Sequence, residues 1–235
     1  MSNTASTVVP LQKHESWTKG GGVVSHLDDS EITRLEERAA VTVADSSTLG
    51  LWGFATGTWM TGTIIAGVFP ASAFTAVIPV LLIFAGLTQF IAGMHAFRRA
   101  NVLAATAFCS FGAFNVTTAF FFALQAANTL GTHGAPIILQ GFLLESFGLI
   151  AFALTIAALR TNAALVLTLG TLTVGYVMAG IPNLADAVGQ PGWMIVQVIG
   201  GWFLVASAAL AFYTGMALVV NSTWRRTVLP IGGEP

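Results

Sequence analysis

The sequence predicts an all-α polytopic membrane protein with six transmembrane helices and both termini in the cytoplasm. Three observations predict it. Of the 235 residues, 55% are hydrophobic and only 8% charged, against about 25% charged in a soluble domain. Six apolar stretches each approach the ~20 residues that cross a bilayer. Beyond residue 46 the only basic residues are five arginines, and they fall after every second stretch. Arg98 and Arg99 follow the second, Arg160 the fourth, and Arg225 and Arg226 the sixth, the pattern of loops kept on the cytoplasmic side.

Residues 1–44 form a polar N-terminal segment that carries most of the charge of the chain. Its first part is Gly-containing and lacks an apolar pattern, so it is expected to be unstructured. Asp28-Asp29-Ser30-Glu31 reads as a helix start, with Ile32, Leu35 and Ala39 on one side. Either a short amphipathic helix on the cytoplasmic face or an acidic tail satisfies that pattern. No basic stretch followed by an apolar one precedes it, so no cleaved signal peptide is expected.

The six-helix transmembrane domain occupies 45–221, with spans at roughly 48–68, 74–97, 101–125, 137–159, 163–183 and 195–220. Pro70 stops the first span. Gly131 to Pro136 is a turn cluster, and Pro182-Asn183 ends the fifth span. Residues 184–194 have room for a short outer helix or a re-entrant piece. Residues 222–235 are a cytoplasmic tail. Span one opens on Asp45-Ser46-Ser47-Thr48 and then Leu49-Gly50-Leu51. Ser46, Ser47 or Thr48 is suited to cap the free N–H groups of the helix, and a helix N-terminus facing a cavity would also attract a carboxylate. Glycines recur in spans one, five and six, where small residues let backbones approach in lipid.

Polar residues inside the spans are few. Gln89 lies in span two, Asn115 in span three and Glu145 in span four. The amides either bond a carboxylate solute or tie helices together. Glu145 is protonated, paired or open to a water-filled vestibule, because a bare carboxylate in lipid is costly. It either handles protons or bonds a neighbouring helix. The single cysteine, Cys109, excludes an intrachain disulfide and reads as a small core residue. His95 and His133 fall on opposite sides of the membrane and cannot share a metal or haem. No metal cluster, cofactor motif or nucleophile–base pair is evident, and no basic patch suits nucleic acid. Neither catalysis nor a cofactor is expected.

Three stretches carry a resemblance. Ser46 to Phe54 resembles the Asn-Pro-Ala-Pro-Leu-Gly-Leu-x-Gly-Phe signature of the acetate uptake transporter family, the bacterial succinate–acetate permeases of the SatP/YaaH type. Gln89 to Gly93 and Phe97 to Asn101 are similar to its Gln-x-x-Ala-Gly and aromatic-Lys-Lys-Gly-Asn runs. Arg226 to Gly232 is similar to a bacterial family ending at all seven positions. The resemblance covers about 45–232, including Ser110 to Phe114. It implies a plasma-membrane homohexamer with a solute path through each subunit, moving acetate and related small carboxylates such as succinate by proton symport or as an anion channel. Carried over, Phe54, Phe111 and Leu172 would form a hydrophobic constriction, Gln89 would line the path beside it, and Leu49-Gly50-Leu51 would shape its entrance. The chain departs from the pattern at Asp45 to Thr48, which replace Asn-Pro-Ala-Pro. Phe111 stands where bacterial relatives often have tyrosine, Ala96 and Leu218 replace glutamates, and Glu145 replaces a small residue. Three rival readings remain open at this point, the first two being a different small neutral or weakly acidic solute and a non-transporting scaffold that signals through residues 1–45. An intramembrane enzyme is the third.

Overall fold

The computed structural model describes residues 44–131, 133–187 and 192–233. The readings made for residues 1–43 and for 188–191 lie outside the described residues. The described chain is helical, with no strand. α1 spans Ser47–Ile65, α2 Ala71–Arg98, α3 Val102–Ala126, α4 Ala135–Ala158, α5 Ala163–Ala187 and α6 Met194–Trp224. Each expected span corresponds to one helix, with ends displaced by at most four residues.

Five of the six helices have the length and mean hydropathy of a membrane crossing. α1 is not among them, because glycines and threonines dilute its 19 residues. Its threonines are nonetheless compatible with lipid. Thr56, Thr61 and Thr63 donate to the carbonyls of Trp52, Gly57 and Met60 at 2.8–2.9 Å, so these three hydroxyls are satisfied within the helix. The molecule is a multi-pass membrane protein.

Packing runs α4–α5–α6–α1–α2–α3 around the bundle, and α3 meets α4 with the thinnest contact. Gly200 and Gly201 at the start of α6 let two neighbours in at once. A Cβ on Gly200 would lie 2.8 Å from the Ala179 nitrogen of α5, and one on Gly201 would collide with the backbone of Ala66 just after α1. With little hydrophobic drive between helices in lipid, such close backbone packing supplies the attraction.

Pro182 does not end α5, which continues to Ala187. Water offers the freed backbone groups a partner in a soluble protein. In an apolar setting the remaining helical bonds are worth keeping, and neighbouring helices support the interruption. α2 is irregular for a related reason. A 3-10 turn at Ala71–Ala73 and a short helix containing Pro79 lead into a π-helical segment, Leu81–Thr88, before α-helix resumes at Gln89.

The C-terminal tail is not free. Asn221 Oδ1 accepts from Val228 and Leu229 N–H at 2.7 and 2.9 Å, and its amide donates to Leu229 O at 2.8 Å. Tyr213 donates to Pro230 O at 2.6 Å. The tail carbonyls of Ile231 and Gly232 then accept from Ala164 and Ala163 N–H. Two of the free donors at the start of α5 are thus satisfied by a segment about 70 residues away in sequence.

Candidate functional site

The first residues of α1 do not act as the sequence suggests. No side chain of Ser46 caps the helix. Asp45 does, with Oδ1 accepting from Ser47 N–H at 2.9 Å. The same Oδ1 meets Arg99 Nη1 at 2.7 Å, the one ion pair among the described residues. Ser46 is turned away and donates to Ala92 O on α2 at 2.8 Å. An ionised carboxylate outcompetes a hydroxyl for helix N–H groups when a cation holds it in place. Thr48 is half-buried, Leu49 faces outward and Leu51 is buried. Gly50 sits on the Phe108 ring, 2.7 Å from where its Cβ would be. The Leu-Gly-Leu step thus sends one leucine out, one in, and lets α3 approach between them.

One helical turn further in, Phe54 and Phe111 meet with ring centroids 5.8 Å apart. Leu172 on α5 is fully buried and belongs to the same apolar cluster. All three belong to one buried apolar cluster, and Phe54 and Phe111 form a layer of rings within it. Phe111 also lies 6.0 Å from Phe147 and 6.3 Å from Tyr176.

Two cavities lie on either side of this layer. One, about 310 Å³, opens toward the end that carries the arginines and is lined by Asp45, Ser47, Leu51, Gln89, Asn101 and Thr168, among others. The other, about 420 Å³, opens toward the opposite end and is lined by Thr58, Asn115, Gln125, Gln140 and Tyr176, among others. The three helices that carry these residues change cavity there. α1 passes from Phe54 to Thr58 and α3 from Phe111 to Asn115. α5 passes from Thr168 through Leu172, which lines neither cavity, to Tyr176. Asp45 is the one charged residue lining either cavity among the described residues.

A polar link runs beside the apolar layer. Asn115 Nδ2 donates to Gln89 Oε1 at 3.1 Å and to Ala85 O at 3.3 Å. The carbonyl of Ala85 only accepts, so Asn115 must present its NH₂ there, and Gln89 must present oxygen to Asn115. That fixes Gln89 with its Nε2 donors left over. They are buried and have no partner in the protein. Gln89 is reached across α1 because Gly53 has no side chain, its Cβ position being 3.5 Å from Gln89 Cβ. A buried amide with two unused donors is a costly arrangement unless something accepts from it.

Glu145 is placed elsewhere. It lies on the α4–α5 seam, where its Oε1 fills the notch left by Gly180, 2.6 Å from that glycine's absent Cβ. This oxygen is buried and has no partner, and Glu145 lines neither cavity. A vestibule-facing Glu145 is therefore not what the structure shows. Cys109 is half-buried on the α2–α3 crossing, against Gly93. The feature that sequence reasoning missed is the Asp45–Arg99 pair. Its residues lie 54 positions apart, and no local pattern joins them.

Residues 31–231 match the model of the GPR1/FUN34/yaaH family. The chain is 28% identical over 191 residues to the succinate-acetate/proton symporter SatP of Escherichia coli, covering 81% of this chain and 96% of that one. It is 26% identical over 200 residues to acetate permease A of Emericella nidulans, covering 82% and 67% respectively. The solved structure of the bacterial acetate channel SatP superposes with a TM-score of 0.73 at 25% identity, covering 81% of this chain and 100% of that chain.

Proposed function

This chain belongs to the GPR1/FUN34/yaaH family, and on that footing we propose that it moves acetate and related small carboxylates across the plasma membrane. Each subunit of a homohexamer carries its own path, with the arginine-bearing end in the cytoplasm. The path joins the two cavities through the Phe54–Phe111–Leu172 layer, which acts as a hydrophobic constriction. Leu49-Gly50-Leu51 shapes the entrance on the arginine side.

The observation that carries this reading is the unused donor pair of Gln89. It lies at the layer, held in orientation by Asn115. A carboxyl group passing the constriction offers the oxygens that this amide lacks. One neutral amide binds weakly enough for release, as conduction requires. The apolar layer favours the protonated acid, since moving a bare anion through low dielectric costs several kcal/mol or more. The Phe54 and Phe111 rings are packed together, so a solute passes only when they turn aside, and a molecule as small as acetate needs the least displacement.

The test is uptake of labelled acetate into proteoliposomes under an imposed proton gradient and, separately, an imposed voltage. Wild type is expected to show saturable uptake, with altered saturation in Gln89→Ala and weaker discrimination against larger acids in Phe54→Ala. Response to the proton gradient alone marks symport or neutral-acid passage, and response to voltage marks anion conduction. No uptake above empty liposomes from folded protein would overturn acetate as the cargo.

A further inference from the structure

The arginine-end cavity already contains a carboxylate, and it belongs to the protein. Asp45 lines that cavity, accepts the Ser47 N–H at the head of α1, and pairs with Arg99. These are the bonds a free carboxylate anion would make there: one to a helix N-terminal amide and one to a guanidinium. We propose that Asp45 is a tethered carboxylate that sets the charge selectivity of this mouth. It occupies the place of a cargo anion and cancels the charge that would draw one in.

Three features of the site carry the inference. First, one Asp45 oxygen takes both the Ser47 N–H at the head of α1 and the Arg99 guanidinium. Second, Asp45 is the one charged residue on the walls of either cavity among the described residues, so no second charge offsets its effect inside the path. Third, Arg99 lines neither cavity, so with Asp45 in place its charge is spent at the rim. Among the described residues, the other titratable groups of this end are His95 and Arg98 on α2, Arg160 in the turn after α4, and Arg225 and Arg226 after α6. None of them pairs with Asp45. Asp45 and Arg99 cancel as a pair, and no other charge lines this cavity among the described residues. The mouth admits the uncharged acid and turns away the anion, which finds its binding groups taken. Replacing Asp45 by asparagine keeps an equally good cap for α1 and unmasks Arg99.

This inference rests on the carboxylate-transport reading, and the test separates the two. The full chain and three variants, Asp45→Asn, Arg99→Gln and the double variant, are compared in two measurements at pH 8, where acetic acid is almost wholly ionised. One is acetate binding by NMR line broadening in detergent. The other is voltage-driven acetate flux in proteoliposomes. Asp45→Asn is expected to bind acetate about tenfold more tightly, with a matching gain in flux that is eroded by added salt. Arg99→Gln is expected to fall below wild type, because the acid is left unneutralised, and the double variant to return near wild type. Opposite signs for the two single variants are the signature, since a merely structural pair would move both the same way. Equal binding by wild type and Asp45→Asn, or losses in both single variants, would overturn the proposal even if acetate flux were robust. Tighter binding by Asp45→Asn without flux in any variant would support the proposal and overturn the transport reading.

Discussion

Asn115 on α3 donates to Gln89 on α2 at 3.1 Å, and the two amides line different cavities. One side chain that faces the outer cavity therefore sets the orientation of another that faces the inner one, past a layer of phenyl rings. Replacing Asn115 with leucine would strip a donor from both Gln89 Oε1 and Ala85 O. The expected cost is about 1–3 kcal/mol for groups left bare inside the bundle, read as a lower Tm in detergent. Acetate uptake per folded protein is expected to fall as well, because Gln89 is then free to turn its amide over. Uptake unchanged beside a lowered Tm would show that the link is only structural.

Ala100 adopts a left-handed backbone, φ 55°, immediately after α2. A side chain there costs about 1 kcal/mol relative to glycine. Ala100→Gly should stabilise the protein by about that amount, raise Tm, and leave the kinetics of uptake alone. The carbonyl-to-cap geometry around Asn101, whose Oδ1 accepts from Ala104 N–H at 3.0 Å, should persist.

Gly180 and Glu145 are sterically matched. Adding a methyl group in Gly180→Ala brings it against the carboxyl, and overpacking of this kind costs about 1–3 kcal/mol. With Glu145→Ala alongside, the same change should lose most of that cost, because the new methyl group then meets only Gly141 O at 3.2 Å and alanine is the better helix former. A thermal-shift double-mutant cycle reads the coupling. Additive effects would mean the two side chains do not meet.

The tail is held by Asn221. Asn221→Ala removes three hydrogen bonds to residues 228 and 229, and the carbonyls of Ile231 and Gly232 lose their positioning over α5. Amide exchange at Ala163 and Ala164 is expected to rise by at least tenfold, measured by deuterium uptake, while exchange in the middle of α5 stays put. Exchange at α5 unaltered by the substitution would show that the tail docks through other contacts.

The six helices were legible because lipid imposes a length and an absence of charge that nothing else in a sequence imitates. The misreadings have physical causes. Ser46 looks like a cap because capping is judged from neighbours in sequence, whereas its real acceptor, Ala92 O, lies 46 residues on. Pro182 looks like an end because the rule comes from helices in water. Gln89 and Asn115 stand out singly as amides in apolar runs. That they bond each other depends on the rotation of α2 relative to α3, which composition does not encode. The grouping of Phe54, Phe111 and Leu172 rested on family resemblance alone. Three bulky apolar residues in three apolar spans carry no signal of their own.

The π-helical segment of α2 has a consequence for everything after it. A π turn is an α-helix with one residue too many, and each residue advances a helix by about 100°. Wind 81–88 as plain α-helix with every residue kept, and the far half of α2 swings round by that angle. Gln89 would leave the interior for the lipid, and one of its greasy neighbours, Phe90 or Ile91, would come indoors. Arg99, at the end of the same rod, would drift from Asp45. The π turn thus acts as a phase setting: it takes up the surplus residue and keeps both polar contacts of α2 in step.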